Sequence, residues 1–499
     1  MRFDTIAKHL CALDSSLRVI NNCQARITGL SDDSRKVRKG ELFAALPGSK
    51  ADGSQFVQAA VDSGAKALLV SRQFACDLPQ LVSERPRRTL AHLAALLNGS
   101  PAHSLRMVGV TGTKGKTTVA FAMREIFQAC GVSCGLVGTV ENIVGSEHRV
   151  AAMTTPSALE IQRMLAEMRA RAQGACAMEV SSHALDQDRV AGIPFAGAIV
   201  TNLGHDHLDY HVNVDSYFNA KARLFEELEG VALINTDDAH GARMLERVHG
   251  PALRYGTNEK ADVRLTDLRM ELAGMSFNVR FGGRSERFES PITGRYNAMN
   301  LIACIGMGLA LDLPIEGIRT AVATFRGAPG RLERVGSQGG PLVFVDYAHT
   351  PDSLENVLST LREVCAGQRL TCVFGCGGDR DRTKRPKMGA IAAQLASRVI
   401  VTSDNPRSEV PESILEQIMA GIPPQKRPVD ALVDRREAIE LAIREAKPGE
   451  VVLIAGKGHE PSQIFKDRTV HFDYREEAAA ALAKHWNSAA GSRREKVKA

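Results

Sequence analysis

Short, almost wholly apolar runs recur along this 499-residue chain, each followed by a polar or glycine-containing turn and, in many cases, a helical pattern. Runs that are apolar at every position are typical of strands buried on both faces of a parallel sheet. The alternation of strand and helix therefore predicts an α/β fold. Helices are predicted at Thr117–Ala129 and Pro351–Val364, among others. The predicted strands are Glu41–Leu46, Lys66–Val70, Arg106–Val110, Ala175–Val180, Ala196–Asn202, Val231–Asn235, Leu342–Asp346, Leu370–Gly375, Arg398–Thr402 and Val451–Ala455.

Two turn-rich segments divide this pattern into three parts. Asn98-Gly-Ser-Pro101 lies between a helical pattern and a new strand, and Gly327-Ala-Pro-Gly-Arg331 precedes a second series of strand–helix units. Clusters of this composition are typical of linkers. We therefore expect three domains, at 1–101, 102–330 and 331–499, each of ordinary domain size.

Composition restricts the class of protein further. Apolar residues make up 44% and charged residues 24%, as in globular proteins, and the net charge of +6 suits an anionic substrate without requiring nucleic acid. No apolar run approaches the roughly 18 residues that span a membrane, and Met1–Asp4 brings an acid at once, so we expect neither a membrane partner nor a secretory signal. The 10 cysteines are too sparse for a disulfide framework and lack zinc-knuckle spacing, which favours a reducing cytoplasm.

The segment Val108–Thr118 carries the strongest chemical pattern: an apolar strand, a glycine-rich turn, and a helix that begins near Lys116. Backbone N–H groups of such a turn bind phosphate oxygens together with the helix N-terminus. Lys116 is then expected to reach the β- and γ-phosphates, and the Thr117 hydroxyl to ligate Mg²⁺. The strict spacing would put the first glycine at Val110, where the chain offers Gly109 or Gly112 instead. A glycine-rich surface turn without a ligand is the alternative interpretation.

Two polar clusters follow predicted strands. Glu179-Val-Ser-Ser-His183 overlaps the end of the strand Ala175–Val180, and Thr201–His211 comes at the end of the next one. Open α/β sheets bind ligands at the carboxyl ends of their strands, so Glu179 and His207 are candidate metal ligands beside Thr117. Histidines in such loops are more often exposed or hydrogen-bonded, but the neighbouring phosphate loop favours a functional role for at least one of them.

With these clusters in place, the chain resembles the Mur ligase family along almost its whole length. Within that family, Ser403-Asp-Asn-Pro-Arg407 resembles the signature of the members that add meso-2,6-diaminopimelate to UDP-N-acetylmuramoyl-L-alanyl-D-glutamate, and Gly377–Asp381 and Gly456–Glu460 agree with that subfamily. The motifs that carry the family resemblance are, in order, Thr111-Gly-Thr-Lys-Gly-Lys-Thr-Thr118, Glu179-Val-Ser-Ser-His183, Asp206-His-Leu-Asp-Tyr-His211, Tyr296-Asn-Ala-Met-Asn300, Gly330-Arg-Leu-Glu333 and Asp346-Tyr-Ala-His-Thr-Pro-Asp352.

The resemblance implies an ATP-dependent amide ligase of peptidoglycan precursor synthesis that acts through an acyl phosphate. It implies an N-terminal uridine-nucleotide-binding domain, a central P-loop ATPase-like domain with a mostly parallel sheet, and a C-terminal Rossmann-like domain; we expect a monomer. The ATP-binding residues implied are Gly112, Thr113, Lys114, Gly115, Lys116, Thr117, Thr118, Asn300, Arg331 and Asp346. The catalytic residues implied are Lys116, Glu179, His207 and Lys221. Thr117 and Glu179 are implied to hold one Mg²⁺, and His207 and a carbamylated Lys221 to serve a second ion.

The two other substrates are assigned in the same way. Diaminopimelate carries an ammonium and a carboxylate at its far end, where lysine has no carboxylate. Arg407 and Arg380 offer planar forks to a carboxylate, whereas Asp404 and Glu460 accept from an ammonium. The implied diaminopimelate contacts are Arg380, Asp404, Asn405, Pro406, Arg407, Gly456 and Glu460. Those to the muramoyl dipeptide nucleotide are Ser34, Ser49, Lys50, Ala51, Thr154, Thr155, Ser181, Gln187 and Arg189.

Three alternatives compete with this interpretation. A folylpolyglutamate synthetase resembles the central and C-terminal domains but lacks the N-terminal domain that residues 1–100 supply. A lysine-adding Mur ligase is disfavoured by Arg407. An ATP-gated binding or scaffold protein with an inactive site is disfavoured because Lys116, Thr117, Glu179, His207 and Lys221 are all retained.

Overall fold

The computed structural model describes residues 1–48, 52–204, 206–336, 339–365, 367–426 and 429–487. The chain is an α/β protein with parallel-rich sheets, as the apolar runs predict. Its contacts group into two compact units. Unit one comprises Met1–Arg264, Arg280–Arg284 and Asn300–Ala321, and unit two comprises Leu265–Val279, Ser285–Met299 and Val322–Ala499. Among the described residues, no helix is long and apolar enough to cross a membrane.

Unit one begins with a five-stranded sheet in the order β1-β5-β4-β3-β2, in which only the β1–β5 pair is antiparallel. Its strands are β1 (Arg18–Ile20), β2 (Leu30–Ser31), β3 (Leu42–Ala44), β4 (Ala67–Val70) and β5 (Gln80–Val82). The helices here are α1 (Phe3–Leu13), α2 (Val57–Asp62) and α3 (Pro86–Leu97). Apolar side chains of α1 and α3, such as Phe3 and Leu93, share a core with Leu42 and Leu69 of the sheet. This burial explains why β3 and β4 read as unbroken apolar runs.

The second sheet of unit one has the order β13-β12-β11-β6-β10-β7-β8-β9 and is parallel from β13 to β7. Its strands are β6 (Arg106–Thr111), β7 (Cys134–Val137), β8 (Glu141–Val144), β9 (Glu147–Val150), β10 (Ala175–Glu179), β11 (Phe195–Val200), β12 (Val231–Asn235) and β13 (Ala252–Gly256). The helices are α4 (Lys116–Ala129), α5 (Ala158–Ala170), α6 (Ser182–Asp186), α7 (Leu208–His211), α8 (Val214–Glu226) and α9 (Gly241–Leu245). Because β10, β6 and β11 are neighbours, the segments that follow them emerge at one edge of the sheet.

The next elements are β14 (Val263–Glu271), β15 (Gly274–Phe281), β16 (Arg284–Ser290), α10 (Arg295–Ala310) and α11 (Ile315–Thr324), which contribute residues to both units. In unit two, a six-stranded sheet has the order β17-β18-β22-β19-β20-β21, with only β17 antiparallel to its neighbour. Its strands are β17 (Glu333–Val335), β18 (Leu342–Asp346), β19 (Leu370–Phe374), β20 (Arg398–Thr402), β21 (Asp430–Leu432) and β22 (Val451–Ala455). A hairpin pairs β23 (Ser462–Ile464) with β24 (Thr469–His471). The helices are α12 (Pro351–Val364), α13 (Lys384–Leu395), α14 (Pro411–Met419), α15 (Arg435–Glu445) and α16 (Tyr474–Leu482).

The first expected linker, Asn98–Pro101, is firmly attached in the structure. The Arg169 guanidinium donates to the carbonyl oxygens of Gly99 at 2.7 Å and of Asn98 at 3.0 Å. Residues 1–101 and 102–264 also fall in the same compact unit. The division of the chain into three domains therefore stays a prediction.

Candidate functional site

The phosphate loop lies between β6 and α4. Gly112 and Gly115 have positive φ angles of 143° and 88°, which side chains rarely adopt. A Cβ at Gly112 would overlap the Thr201 hydroxyl, and one at Gly115 would lie 2.5 Å from Asn300 Oδ1. Gly109, by contrast, lies within β6 and pairs with Met178 of β10. Gly112 is therefore the first glycine of the turn.

Residues from the end of β11 hold this loop in shape. The Thr201 hydroxyl and the Asn202 amide donate to the Lys114 carbonyl at 2.6 and 3.0 Å, and the Lys114 N–H donates to Asn202 Oδ1 at 3.0 Å. Lys116 Nζ donates to the carbonyls of Gly112 at 2.9 Å and Thr113 at 3.0 Å. The Lys116 ammonium thus lies against the loop itself.

Glu179, the last residue of β10, is buried and accepts three hydrogen bonds. Its donors are the Thr117 hydroxyl at 3.1 Å, the Thr139 hydroxyl at 3.0 Å and the Thr139 N–H at 2.8 Å. A Cβ at Gly138 would lie 2.5 Å from Glu179 Oε1, so only glycine lets the backbone come this close. The pair Thr117 and Glu179 supplies hydroxyl and carboxylate oxygens, the donor type that Mg²⁺ prefers. Thr139 carries no local sequence signal and was not predicted.

Lys221 of α8 reaches the same loop. It is only 1% exposed, and its Nζ donates to the Gly112 carbonyl at 2.9 Å and to the Thr111 hydroxyl at 3.4 Å. The Nζ also lies 4.6 Å from the centroid of the Tyr217 ring. Burial, reinforced by the Lys116 charge, lowers the pKa of Lys221 well below its ordinary value, while Asp206 opposes the shift. A neutral amine is the form that reacts with carbon dioxide, so this site fits the expected carbamate.

His207 lies in a cluster of rings with His183, Tyr210 and His211. The centroid of the His183 ring lies 4.8 Å from that of His207 and 4.2 Å from that of Tyr210. His211 Nε2 lies 2.9 Å from the Ser182 hydroxyl. His207 is about half exposed and has a positive φ of 54°. Across the described ranges, no group of three or more His, Cys, Asp or Glu side chains is arranged to hold a metal ion. The metal role of His207 therefore stays a prediction.

The polar residues expected at the dipeptide lie next to Glu179. The Thr155 hydroxyl donates to the Glu179 carbonyl at 2.8 Å and accepts from the Ser181 N–H at 3.0 Å. The Thr139 hydroxyl, 3.0 Å from Thr154 Oγ1, links this group to the Glu179 carboxylate. Arg189 donates to the Thr155 carbonyl at 2.7 Å and to Gln187 Oε1 at 2.8 Å. The structure therefore brings Thr154, Thr155, Ser181, Gln187 and Arg189 together.

Ser34 begins a short helical turn, Ser34–Lys36, beside a cavity of about 920 Å³. The cavity is lined by both signs of charge: Arg35, Arg38 and Arg163 lie there with Asp33 and Glu160, and Arg35 is ion-paired with Asp33 at 2.8 Å. The remaining expected contacts in this region, Ser49, Lys50 and Ala51, lie outside the described residues.

In unit two, Arg331 and Asp346 are adjacent. Asp346 accepts from the N–H groups of Leu332 at 2.7 Å and Ala348 at 2.8 Å. Burial raises the pKa of the Asp346 carboxyl, against the lowering effect of the Arg331 charge. The Arg331 guanidinium lies 4.6 Å from the centroid of the Tyr347 ring. Asn300 belongs to unit one, where it packs against Gly115.

The residues expected to hold diaminopimelate also converge in unit two. Asn405 Oδ1 accepts from Lys457 Nζ at 2.6 Å, and Glu460 Oε1 accepts from the Tyr347 hydroxyl at 3.0 Å. A Cβ at Gly456 would lie 2.7 Å from Asp404 Oδ2. A Cβ at Gly377 would lie 2.9 Å from Arg407 Nη1 and 3.7 Å from Cγ of the exposed Arg380. Lys457 and Tyr347 were not predicted to take part, although both lie inside motifs that the sequence points out.

Comparison with known proteins accounts for this arrangement. Residues 26–96 match the family model described as Mur ligase family, catalytic domain; residues 110–308 match the Mur ligase middle domain; and residues 330–458 match the Mur ligase, glutamate ligase domain. A UDP-N-acetylmuramoyl-L-alanyl-D-glutamate–2,6-diaminopimelate ligase of Synechococcus elongatus is 46% identical over 92% of this chain and 94% of the relative. The chain belongs to the Mur ligase family.

Solved structures agree with this membership. A structure of UDP-N-acetylmuramoyl-L-alanyl-D-glutamate–2,6-diaminopimelate ligase superposes on this Mur ligase with a TM-score of 0.74, at 34% identity, and covers 97% of this chain and 99% of its own. The MurF ligase of Thermotoga maritima in complex with ADP gives a TM-score of 0.62 and covers 93% of this chain and 98% of its own. At 18% identity this second likeness shows the fold alone.

Proposed function

We propose that this Mur ligase joins meso-2,6-diaminopimelate to UDP-N-acetylmuramoyl-L-alanyl-D-glutamate at the expense of ATP. The observation that carries the proposal is the cluster of Asp404, Arg407 and Glu460 in a chain 46% identical to a relative of that name. Two acids and an arginine match the two ammonium groups and the distal carboxylate of this amino acid. The product is a precursor of peptidoglycan.

The first step activates a carboxylate. A free carboxylate resists attack by an amine because oxide is a poor leaving group. Its oxygen therefore attacks the γ-phosphorus of ATP, ADP leaves, and the resulting acyl phosphate carries a good leaving group. The protein contributes position and charge: the Lys116 ammonium and the N–H groups at the start of α4 neutralise the phosphoryl oxygens. Thr117 and Glu179 would hold one Mg²⁺, and His207 and the carbamate of Lys221 a second ion, which when bound add further positive charge at those oxygens.

The second step forms the amide. The incoming amine, once deprotonated, attacks the acyl carbon and gives a tetrahedral intermediate that expels phosphate. Because diaminopimelate and lysine share the attacking amine, selectivity has to come from the distal end of the molecule. Arg407 would hold the distal carboxylate, with Arg380 nearby, while Asp404 and Glu460 accept from the ammonium groups. Lysine leaves the guanidinium of Arg407 without its partner.

We also propose three domains at 1–101, 102–330 and 331–499, and a monomeric enzyme of the cytoplasm. A five-stranded sheet over residues 18–82, a separate sheet that begins at residue 106 and a six-stranded sheet over residues 333–455 support the division. The 10 cysteines, all within the described ranges, are free thiols, which supports a reducing compartment. The modest net charge of +6 supports small anionic substrates rather than nucleic acid.

Phosphate release in the presence of ATP and Mg²⁺ tests the proposed function. We expect release to require both the dipeptide nucleotide and diaminopimelate, and lysine to replace diaminopimelate about 10⁴-fold less efficiently, as sites built for a polar group reject analogues that lack it. Equal kcat/KM values for the two amino acids would show a different specificity. Release without any acceptor would point to an ATPase instead.

A further inference from the structure

Two loops leave the carboxyl ends of the neighbouring parallel strands β19 and β20. We name them the β19 loop (residues 375–383) and the β20 loop (residues 403–410). The Gly378 N–H donates to the Asn405 carbonyl at 2.8 Å, and Arg407 Nη1 donates to the Gly378 carbonyl at 2.8 Å. A Cβ at Gly378 would overlap the Pro406 carbonyl oxygen. The β20 loop, which carries Arg407, is thus hydrogen-bonded along the β19 loop.

The same pair of loops is joined a second time, beyond Arg407. The Ser408 hydroxyl and N–H donate to the Asp379 carboxylate at 2.6 and 3.2 Å, and the Asp379 N–H donates to Glu409 Oε1 at 2.7 Å. Arg407 and Asp379 both have left-handed backbone conformations, with φ of 52° and 54°. Such conformations are costly for residues other than glycine and persist where the surroundings enforce them. The contacts of Ser408 and Glu409 supply that enforcement.

Arg385, at the start of α13, is hydrogen-bonded to both the β19 loop and the β20 loop. It is completely buried, and its two terminal nitrogens donate to Glu409 Oε2 and Oε1, both at 2.9 Å. The same nitrogens also donate to Gln417 Oε1 at 2.8 Å and to the Gly377 carbonyl at 3.2 Å. The Arg385 hydrogen bonds hold the pKa of Glu409 at about 2. One buried guanidinium therefore holds both loops, the β19 loop at Gly377 and the β20 loop at Glu409, close to Arg407.

We propose that Arg385, acting through Glu409, is a positioning residue that aims the Arg407 fork at the distal carboxylate of the incoming amino acid. The inference rests on the proposed function and deepens it. A bidentate arginine–carboxylate pair has strict geometry, and a displacement of about 1 Å at such a group can cost about 10²-fold in kcat/KM. Without the Arg385–Glu409 pair, Arg407 can leave its left-handed backbone conformation. Its guanidinium then moves away from the position that binds the carboxylate.

The chain provides a matched control at the opposite end of β20. Arg398 donates to Asp430 Oδ2 at 2.7 Å and to Glu445 Oε2 at 2.7 Å, so it too is a largely buried arginine with two acidic partners, one in β21 and one at the end of α15. It lies five strand residues away from the β20 loop, at the amino end of the strand. Arg398→Lys therefore weakens the hydrogen bonds between an arginine and two carboxylates, here more exposed than Glu409, without disturbing the β20 loop.

The experiment compares Arg385→Lys, Glu409→Gln, Ser408→Ala and Arg398→Lys in the full chain, assayed by phosphate release. For Arg385→Lys and Glu409→Gln we expect KM for diaminopimelate to rise by about 10²-fold, with KM for ATP and for the dipeptide nucleotide unchanged and kcat at saturating diaminopimelate largely kept. Ser408 is exposed, so Ser408→Ala removes the contact between the two loops without leaving a buried polar group unpaired. For this variant we expect a smaller rise in KM for diaminopimelate. Arg398→Lys should leave all three KM values unchanged.

A second readout separates positioning from general damage. When diaminopimelate and lysine are supplied together, mass spectrometry gives the ratio of the diaminopimelate product to the lysine product. This ratio should fall in Arg385→Lys and stay at the wild-type value in Arg398→Lys. The inference is overturned if KM for diaminopimelate stays at the wild-type value in Arg385→Lys and Ser408→Ala, or if kcat and all KM values deteriorate together. If Arg385→Lys does not fold, Glu409→Gln and Ser408→Ala decide. A wild-type enzyme that ignores diaminopimelate would instead refute the proposed function itself.

Discussion

Replacing Lys221 by methionine separates a chemical role of this residue from a structural one. Methionine nearly keeps the length and volume of the lysine side chain but lacks the amine. It therefore fills the same space beside Tyr217 and the phosphate loop while it removes the amine that is proposed to be carbamylated. We expect the enzyme to fold and to lose most of its activity.

The structure limits the effect on stability. Lys221→Met removes hydrogen bonds to the Gly112 carbonyl and the Thr111 hydroxyl, each worth about 1 kcal/mol net. The cost of burying an ammonium, visible in the lowered pKa of Lys221, disappears as well and offsets part of that loss. The free energy of unfolding should therefore fall by less than about 2 kcal/mol. Wild-type protein should also gain stability as pH rises from the lowered folded pKa towards the unfolded value, whereas the variant lacks this gain.

The effect on catalysis should be larger. Loss of a group that stabilises transition-state charge costs about 2.7–4 kcal/mol, or about 10²–10³ in kcat. Phosphate release with all substrates saturating measures this, and ¹³C NMR after incubation with ¹³C-bicarbonate reports the carbamate directly. Lys457→Met, which removes another buried lysine, should keep the ¹³C signal. Near wild-type turnover in Lys221→Met, or an unchanged ¹³C spectrum, would refute the carbamate.

Four further predictions follow from the sites. Lys116→Ala should lower turnover by about 10²–10³ with an unchanged thermal midpoint, because it removes phosphoryl charge stabilisation; turnover close to wild type would contradict that role. Gly112→Ala should abolish ATP binding, measured by calorimetry, since its Cβ overlaps the Thr201 hydroxyl at a positive φ. Arg407→Ala should reduce kcat/KM for diaminopimelate far more than it alters KM for ATP. Glu409→Gln should be less stable than wild type above about pH 4.5, and this difference, measured by urea unfolding, should shrink as pH falls towards about 2, where Glu409 protonates in the folded state.

The strands buried on both faces could be predicted from the sequence because each is an apolar run with no alternation. Val451–Ala455 and Arg398–Thr402 agree residue for residue with β22 and β20. The polar strands could not be predicted in this way. β14 is buried only at Val263 and Leu265 and is half-buried or exposed from Thr266 onward, and it contains two arginines and two acids, so it has the composition of a surface loop. β7, β8 and β9 are only four residues each, too short to show a period.

The phosphate loop could be predicted because its groups are contiguous in sequence, so glycines, lysine and threonine fall within one turn. The positions of Glu179 and Lys221 next to the phosphate loop could be predicted only from the order of strands in the sheet or from the family resemblance. Thr139 and Arg385 had no signal, since their partners Glu179 and Glu409 are 40 and 24 residues away. Such supporting contacts depend on which loops lie close together in the folded chain, and this proximity cannot be inferred from a single sequence.

The glycines at these sites bear on how the protein can change under selection by an inhibitor. A side chain added at one of these glycines could block a bound compound, but a Cβ at Gly112 would overlap Thr201, and one at Gly378 would overlap the Pro406 carbonyl. At Gly456 the same change would bring a Cβ within 2.7 Å of Asp404 at a φ of 138°. A molecule seated on the backbone at these glycines would leave the cell few viable single-residue routes to resistance.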